Sequence, residues 1–295
     1  SIDPTKYYKN LKNRSYNEKI CRKDLWIDKS IKLNTINFKI NNPGKVLPDD
    51  YYNRSSCRAF YNQSNINIVA SGELGPGMGI FRSKPIMFVG KGYDKKKDLS
   101  GAPDAALKQS QQIRLWMTSY LCYQDNKFKE NLAKEVKTFI LKWAQSKAFM
   151  KTRKNNSDNF CCIQDAVLTM NYDMSDFITA YLIVTKDFPD KKKNKEVIVK
   201  WFKNYMKKYG NRHFKKDGVG QFFNQHAVIR DYLNIKIAVL TNNNELFSKS
   251  AKRALIVLAQ STPEGVYPFT ATRGQKAMWY SMEMMNDYTH LLEVL

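Results

Sequence analysis

Residues 131–149 read NLAKEVKTFILKWAQSKAF. Leu132, Val136, Phe139, Ile140, Trp143 and Ala144 recur at spacings of three and four, so they share one face of a helix. Lys134, Glu135, Lys137 and Lys142 take the other side. The same period continues outward in both directions. Upstream, DAALKQSQQIRLWMTSYLCY (104–123) keeps Leu107, Ile113, Trp116, Met117, Tyr120 and Leu121 near one face. Downstream come QDAVLTMNYDMSDFITAYLIVT (164–185), KEVIVKWFKNYMKKY (195–209), HAVIRDYLNIKIAVLT (226–241), ELFSKSAKRALIVLAQS (245–261) and GQKAMWYSMEMMNDYTHLLEVL (274–295). These are seven predicted helices joined by short polar segments, and strand-like alternation is scarce among them. Consecutive helices with short joints predict antiparallel helical hairpins, hence an all-α fold.

Residues 1–103 read differently. They are rich in Tyr, Asn, Pro and Lys and carry turn signals such as NNPGK and LGPGMG. The expected organisation is an irregular N-terminal segment, 1–103, laid on a helical body, 104–295, within one structural domain. SGELGPGMG (71–79) has the glycines of a phosphate-binding loop but lacks its terminal Gly-Lys-Ser/Thr, so a surface loop is the better reading.

The chain has 295 residues, 43% of them hydrophobic, enough for a sizeable core. Lys and Arg total 49 against 27 Asp and Glu, a formal charge of +22. Compositional bias toward Lys, Asn, Ile and Tyr accounts for part of this excess. Whatever its origin, the charge attracts polyanions: acidic polysaccharide, nucleic acid or an anionic membrane surface. No apolar run is long enough to span a bilayer. No recognised nucleic-acid module is present, so no nucleic acid is expected as a partner. The start, SIDPTKYY, carries no signal peptide and reads as a mature or trimmed terminus. The five cysteines, Cys21, Cys57, Cys122, Cys161 and Cys162, form no CxxC pair and no zinc-type cluster. An odd count leaves at least one thiol unpaired within a monomer, with room for one or two disulfides.

Two stretches carry chemistry. FFNQHAVIRDY (222–232) sets Asn224, Gln225 and His226 at the head of a predicted helix. TATRGQKAMWY (270–280) follows, with Arg273 47 residues after His226 and Tyr280 seven after Arg273. Seven residues are two helical turns, which return to within about 20° of the same direction, so Arg273 and Tyr280 can face one cleft. The plainer alternative is a core tyrosine and a surface arginine.

Together these stretches resemble the alginate lyase family, polysaccharide lyase family five. That family carries an Asn-Asn-His stretch on one helix and an Arg-x6-Tyr stretch on a later one. YPFTATRGQKAMWY (267–280) and KGYDKKKDLS (91–100) also resemble family segments, the latter a lid loop. The resemblance runs from about residue 90 to 295. It implies an incomplete α/α toroid, because the family continues with further helices after the matched tyrosine. It also implies cleavage of a uronate polymer by β-elimination without a metal or other cofactor. Tyr280, His226, Arg273 and Gln225 would be catalytic. Tyr93, Asn224, Lys91, Lys95, Tyr172 and Asn171 would bind substrate. Gln225 replaces the family's second asparagine, which extends the amide by one methylene and points to a ring of altered stereochemistry, such as glucuronate.

β-Elimination removes the C5 proton of a uronate and breaks the C4–O bond. Removing that proton adds charge beside a carboxylate, so donors aimed at the carboxylate stabilise the transition state. Gln225 and His226 supply donors, and Arg273 supplies a permanent charge in a planar fork. A free phenol ionises near pH ~10, so a tyrosine base at neutral pH needs such a cation beside it. When C5–H and O4 lie on one face of the ring, as in mannuronate or glucuronate, Tyr280 can serve as base and then acid. For guluronate, His226 would be the base. The expected protein is a monomeric, periplasmic or secreted polysaccharide lyase. A non-catalytic protein holding acidic glycan on the same fold is the alternative. His213, His290 and the Cys161–Cys162 pair are expected outside the site, and Trp116, Trp143 and Trp201 in the core.

Overall fold

The computed structural model describes residues 38–41, 43–46, 88–89, 113–114, 116–117, 119–122, 125–152, 160–210, 225–259, 261, 267, 270, 277–292 and 294–295. A two-residue strand β1 (Phe88–Val89) pairs in parallel with β2 (Lys151–Thr152), Phe88 opposite Lys151. The helices are α1 (Asn126–Gln145), α2 (Phe160–Asp187), α3 (Lys192–Tyr205), α4 (Gln225–Thr241), α5 (Asn244–Leu258) and α6 (Ala277–Leu292). The described residues between 113 and 122 are also helical. Each falls on a predicted segment.

Local signals set the helix ends. Asp125 caps α1, its side chain accepting from the Phe128 amide at 2.6 Å. The run Thr241-Asn242-Asn243-Asn244 turns the chain from α4 into α5. Asn242 takes a left-handed φ of 49°. The Asn243 amide reaches back to the Ala238 carbonyl and the Asn242 amide to Val239, which closes α4 with a Schellman motif. Asn243 then caps α5 by accepting from the Leu246 amide at 2.9 Å. The result is a tight antiparallel hairpin. α3 ends in a π-helical segment, Met206–Gly210. Gly210 lets this segment approach α4 closely: a Cβ there would lie 2.8 Å from Asn234 Oδ1, so a larger residue would displace the Asn234 side chain.

Burial sorts the helices into layers. α1, α3 and α5 bury one face each. α4 is buried on every side from 227 to 240, and α2 is buried from 170 to 184 except at Tyr172 and Asp176. α4 touches α2, α5 and α6, so it is the centre of the body. An aromatic cluster fills the space between α1, α2 and α3. Phe177 packs edge-on against Phe139 at 5.5 Å and Trp143 at 5.0 Å. Trp116, Trp143 and Trp201 are all buried, as expected for core positions. Trp201 donates its indole N–H to the Ala148 carbonyl at 2.9 Å.

The N-terminal segment is tied to this body. The Ile40 amide donates to Asn244 Oδ1 at 2.8 Å, the Phe38 amide to Ser248 Oγ at 3.3 Å, and Val46 is buried. Cys122 is disulfide-bonded. Among the described residues, no helix is long and apolar enough to cross a membrane.

Candidate active site

α4 and α6 carry the principal candidates, and the two helices pack against each other. Gln225 and His226 are the first two residues of α4, and Tyr280 is the fourth of α6. All three therefore sit in the first turn of a helix, where backbone N–H groups have no intrahelical acceptor and the helix dipole favours negative charge. Farther along, His290 of α6 stacks on Tyr232 of α4, ring centroids 6.4 Å apart at 16°. His290 thus has the structural role expected of it. Tyr280 is half-buried and meets Trp279 at 4.9 Å and 70°. Arg273, Asn224, Tyr93, Lys91, Lys95 and His213 lie outside the described residues, as do the side chains of Gln225, His226, Cys161 and Cys162. β1 ends at Val89, two residues before Lys91, and pairs with β2 in the α1–α2 connection; the expected lid segment, 91–100, lies outside the described residues.

Asn171 and Tyr172 are adjacent on α2 but point apart, since consecutive helical residues differ by about 100°. Asn171 is buried, and its side-chain oxygen accepts from the Tyr205 hydroxyl of α3 at 2.8 Å. Tyr172 faces α6. Its hydroxyl lies 3.1 Å from both Glu283 Oε1 and Asp287 Oδ2. Tyr172 is thereby joined to the helix that carries Tyr280. Glu283 is three and Asp287 seven residues after Tyr280, so the three occupy one flank of α6.

Sequence reasoning did not reveal the polar network that extends from this contact. Lys236, buried in the middle of α4, donates to Ser175 Oγ at 2.7 Å and lies 3.8 Å above the Tyr232 ring. Arg114 pairs with Asp176 of α2 at 2.8 Å. Burial pushes the Asp287 carboxyl up to about 7, and Glu283 adds to the rise, while the hydrogen bond from Tyr172 and the charges of Lys236 and Arg114 oppose it. Burial lowers the Lys236 ammonium to about 7, against the pull of Asp176 and Asp287. Burial raises Asp176 as well, although Arg114 and Lys236 draw it back. The Tyr172 phenol is raised by burial first and then by Asp287 and Glu283, so it is held as a neutral donor. One hydroxyl proton cannot serve two carboxylates at once, which gives a geometric reason for Asp287 to keep its own. A second buried group, Arg230, Asp231 and Arg253, ties α4 to α5, with Arg230 Nη2 3.1 Å from Asp231. The sequence carries the signals for these contacts without showing which residues meet: Asp176 in an apolar helix, and Lys236 between two isoleucines.

The matching family model is that of alginate lyase, and it covers residues 91–294. This chain belongs to the alginate lyase family. It is accordingly a polysaccharide lyase. The matched span contains α1 to α6 together with Gln225, His226, Arg273 and Tyr280. Among solved structures, it is similar to alginate lyase A1-III from Sphingomonas species A1, with 14% identity and a TM-score of 0.56 over 79% of this chain and 68% of that one. Two tetrasaccharide complexes of alginate lyase A1-III, one a tyrosine-to-phenylalanine and one a histidine-to-alanine variant, match with TM-scores of 0.60 and 0.61. They share 12% and 13% identity, and each match covers 87% of this chain and 70% or 69% of the other. The helical body is therefore an α/α toroid. No curated protein sequence matches significantly.

Proposed function

We propose that this family member cleaves a mannuronate- or glucuronate-containing polymer by β-elimination, with Tyr280 as base and then acid. The observation that carries the proposal is the setting of His226 and Tyr280 in the first turns of two helices packed on each other. Gln225, His226 and Arg273 receive the substrate carboxylate. Their hydrogen bonds strengthen as charge moves onto it, so they stabilise the transition state more than the bound polymer. The first-turn amides of α4 add a favourable field for that anion. Arg273 also holds Tyr280 able to accept the C5 proton. Tyr280 then returns the proton to O4 on the same ring face. The related tetrasaccharide complexes were formed with variants at a tyrosine and a histidine, the residue types assigned here.

Tyr93, Lys91, Lys95 and Asn224 bind flanking parts of the polyanion, and Tyr172 buttresses α6 beneath Tyr280. The substrate is a polymer, and Cys122 is disulfide-bonded, which together support a periplasmic or secreted location. The test is ultraviolet absorbance of the newly formed double bond across polymannuronate, polyguluronate and glucuronan. The proposal expects the largest signal on polymannuronate or glucuronan. Binding of these polymers with no absorbance on any would make the protein an acidic-glycan binder.

A further inference from the structure

Three tryptophans of the body, Trp116, Trp143 and Trp201, are at most 8% exposed, but Trp279 is 58% exposed. It stands immediately before Tyr280 and touches it edge-on, which leaves much of the indole open. Its position on α6 is specific. Trp279 and Glu283 are four residues apart and therefore neighbours on the helix surface. Glu283 accepts from Tyr172, so this flank of α6 is the one turned toward α2. Trp279 sits one turn N-terminal to that contact, beside Tyr280. Met278 and Met282 beside it are 75% and 65% exposed.

We infer that Trp279 is a stacking platform for the sugar ring next to the one being cleaved, flanked by an apolar rim of Met278 and Met282. The inference rests on the assignment of Tyr280 to the point of cleavage. A pyranose presents an apolar C–H face, and an indole offers a large flat surface for it at low entropic cost. Charge alone holds a polyanion without fixing its register, because lysines interact with any carboxylate along the chain. A ring stacked beside Tyr280 fixes which C5–H meets the phenol oxygen. Trp279 is thus a positioning and specificity residue, and it does not take part in proton transfer.

The experiment compares Trp279→Ala and Trp279→Phe with the parent on polymannuronate and on short mannuronate oligomers. Trp279→Ala is expected to raise KM about 5–10-fold, the effect of one lost aromatic contact, with kcat within about twofold. Trp279→Phe should recover most of the loss. A second measurement is tryptophan emission in a Tyr280→Phe background titrated with mannuronate tetrasaccharide. The expected emission change should vanish when Trp279→Phe is added. An unchanged KM in Trp279→Ala, or an emission change that persists without Trp279, overturns the inference. A fall in oligomer size with unchanged KM also overturns it, and would make this face a contact between copies. If the parent cleaved no uronate polymer, the lyase proposal would fall, while the emission titration would still decide whether Trp279 meets sugar.

Discussion

Asp287→Asn probes the buried network beneath Tyr280 through its protons. An ordinary aspartate releases its proton near ~3.9, whereas Asp287 keeps it to about 7. Between those values the folded protein holds a proton that the unfolded chain has released. The stability this group contributes is therefore full below about pH 4, falls as pH rises to about 7, and is constant above. The whole shift corresponds to roughly 4 kcal/mol. Lys236 acts in the opposite sense at higher pH. Its ammonium is lowered to about 7, so the unfolded chain binds the extra proton from there to about 10, and stability recovers as pH rises through that window. Asparagine keeps the shape of Asp287 and an oxygen for the Tyr172 hydroxyl, and it has no proton to release. In urea unfolding, the variant should match the parent near about pH 4 and exceed it by about 2–4 kcal/mol near about pH 7.5. An equal change at both pH values would refute the proton held at Asp287.

Other expectations follow from individual contacts. Asn243→Ala removes the α5 cap and should lower stability by about 1 kcal/mol in the same assay, with kcat unchanged. Substrate KM should rise with salt between low and high ionic strength, because exposed charges are screened over about 8–10 Å near physiological salt. Neutralising Lys91 and Lys95 should flatten that dependence, and a salt-indifferent KM would separate the net charge from substrate capture. Gln225→Asn should shift the ratio of kcat/KM toward polymannuronate over glucuronan. Gln225→Ala should slow both, losing a donor to a charged group worth about 1–3 kcal/mol. Equal ratios in parent and both variants would move substrate choice elsewhere, to the Tyr93 segment.

The helices were legible because each amphipathic stripe is local. The stripe at 131–149 foretold α1, and the Thr241–Asn244 polar joint foretold the α4–α5 turn. The aromatic residues of those stripes, Trp143 and Trp201 among them, could be assigned to the core for the same reason. The pairing of distant polar residues was not legible. Lys236 in α4 and Asp176 in α2 are charges within apolar helices, and only packing reveals that Lys236 meets Ser175 and Asp176 meets Arg114. The family resemblance implies both Asn171 and Tyr172 as substrate-binding residues, but the helix turns one toward Tyr205 and the other toward α6. The parallel pairing of Phe88–Val89 with Lys151–Thr152 has no sequence signature either, since two residues carry no alternation. Of the site, the sequence offers the spacing of His226, Arg273 and Tyr280; the described residues add that the helices bearing His226 and Tyr280, α4 and α6, pack on each other.

The central claim is that Tyr280 moves the proton. Tyr280→Phe removes one oxygen and keeps the ring against Trp279. Initial rates of double-bond formation on polymannuronate, measured beside urea unfolding of the same preparation, test it directly. A loss of about 10²–10⁴-fold in kcat with unchanged stability and a similar KM is the predicted result. Turnover equal to that of the parent would contradict the claim.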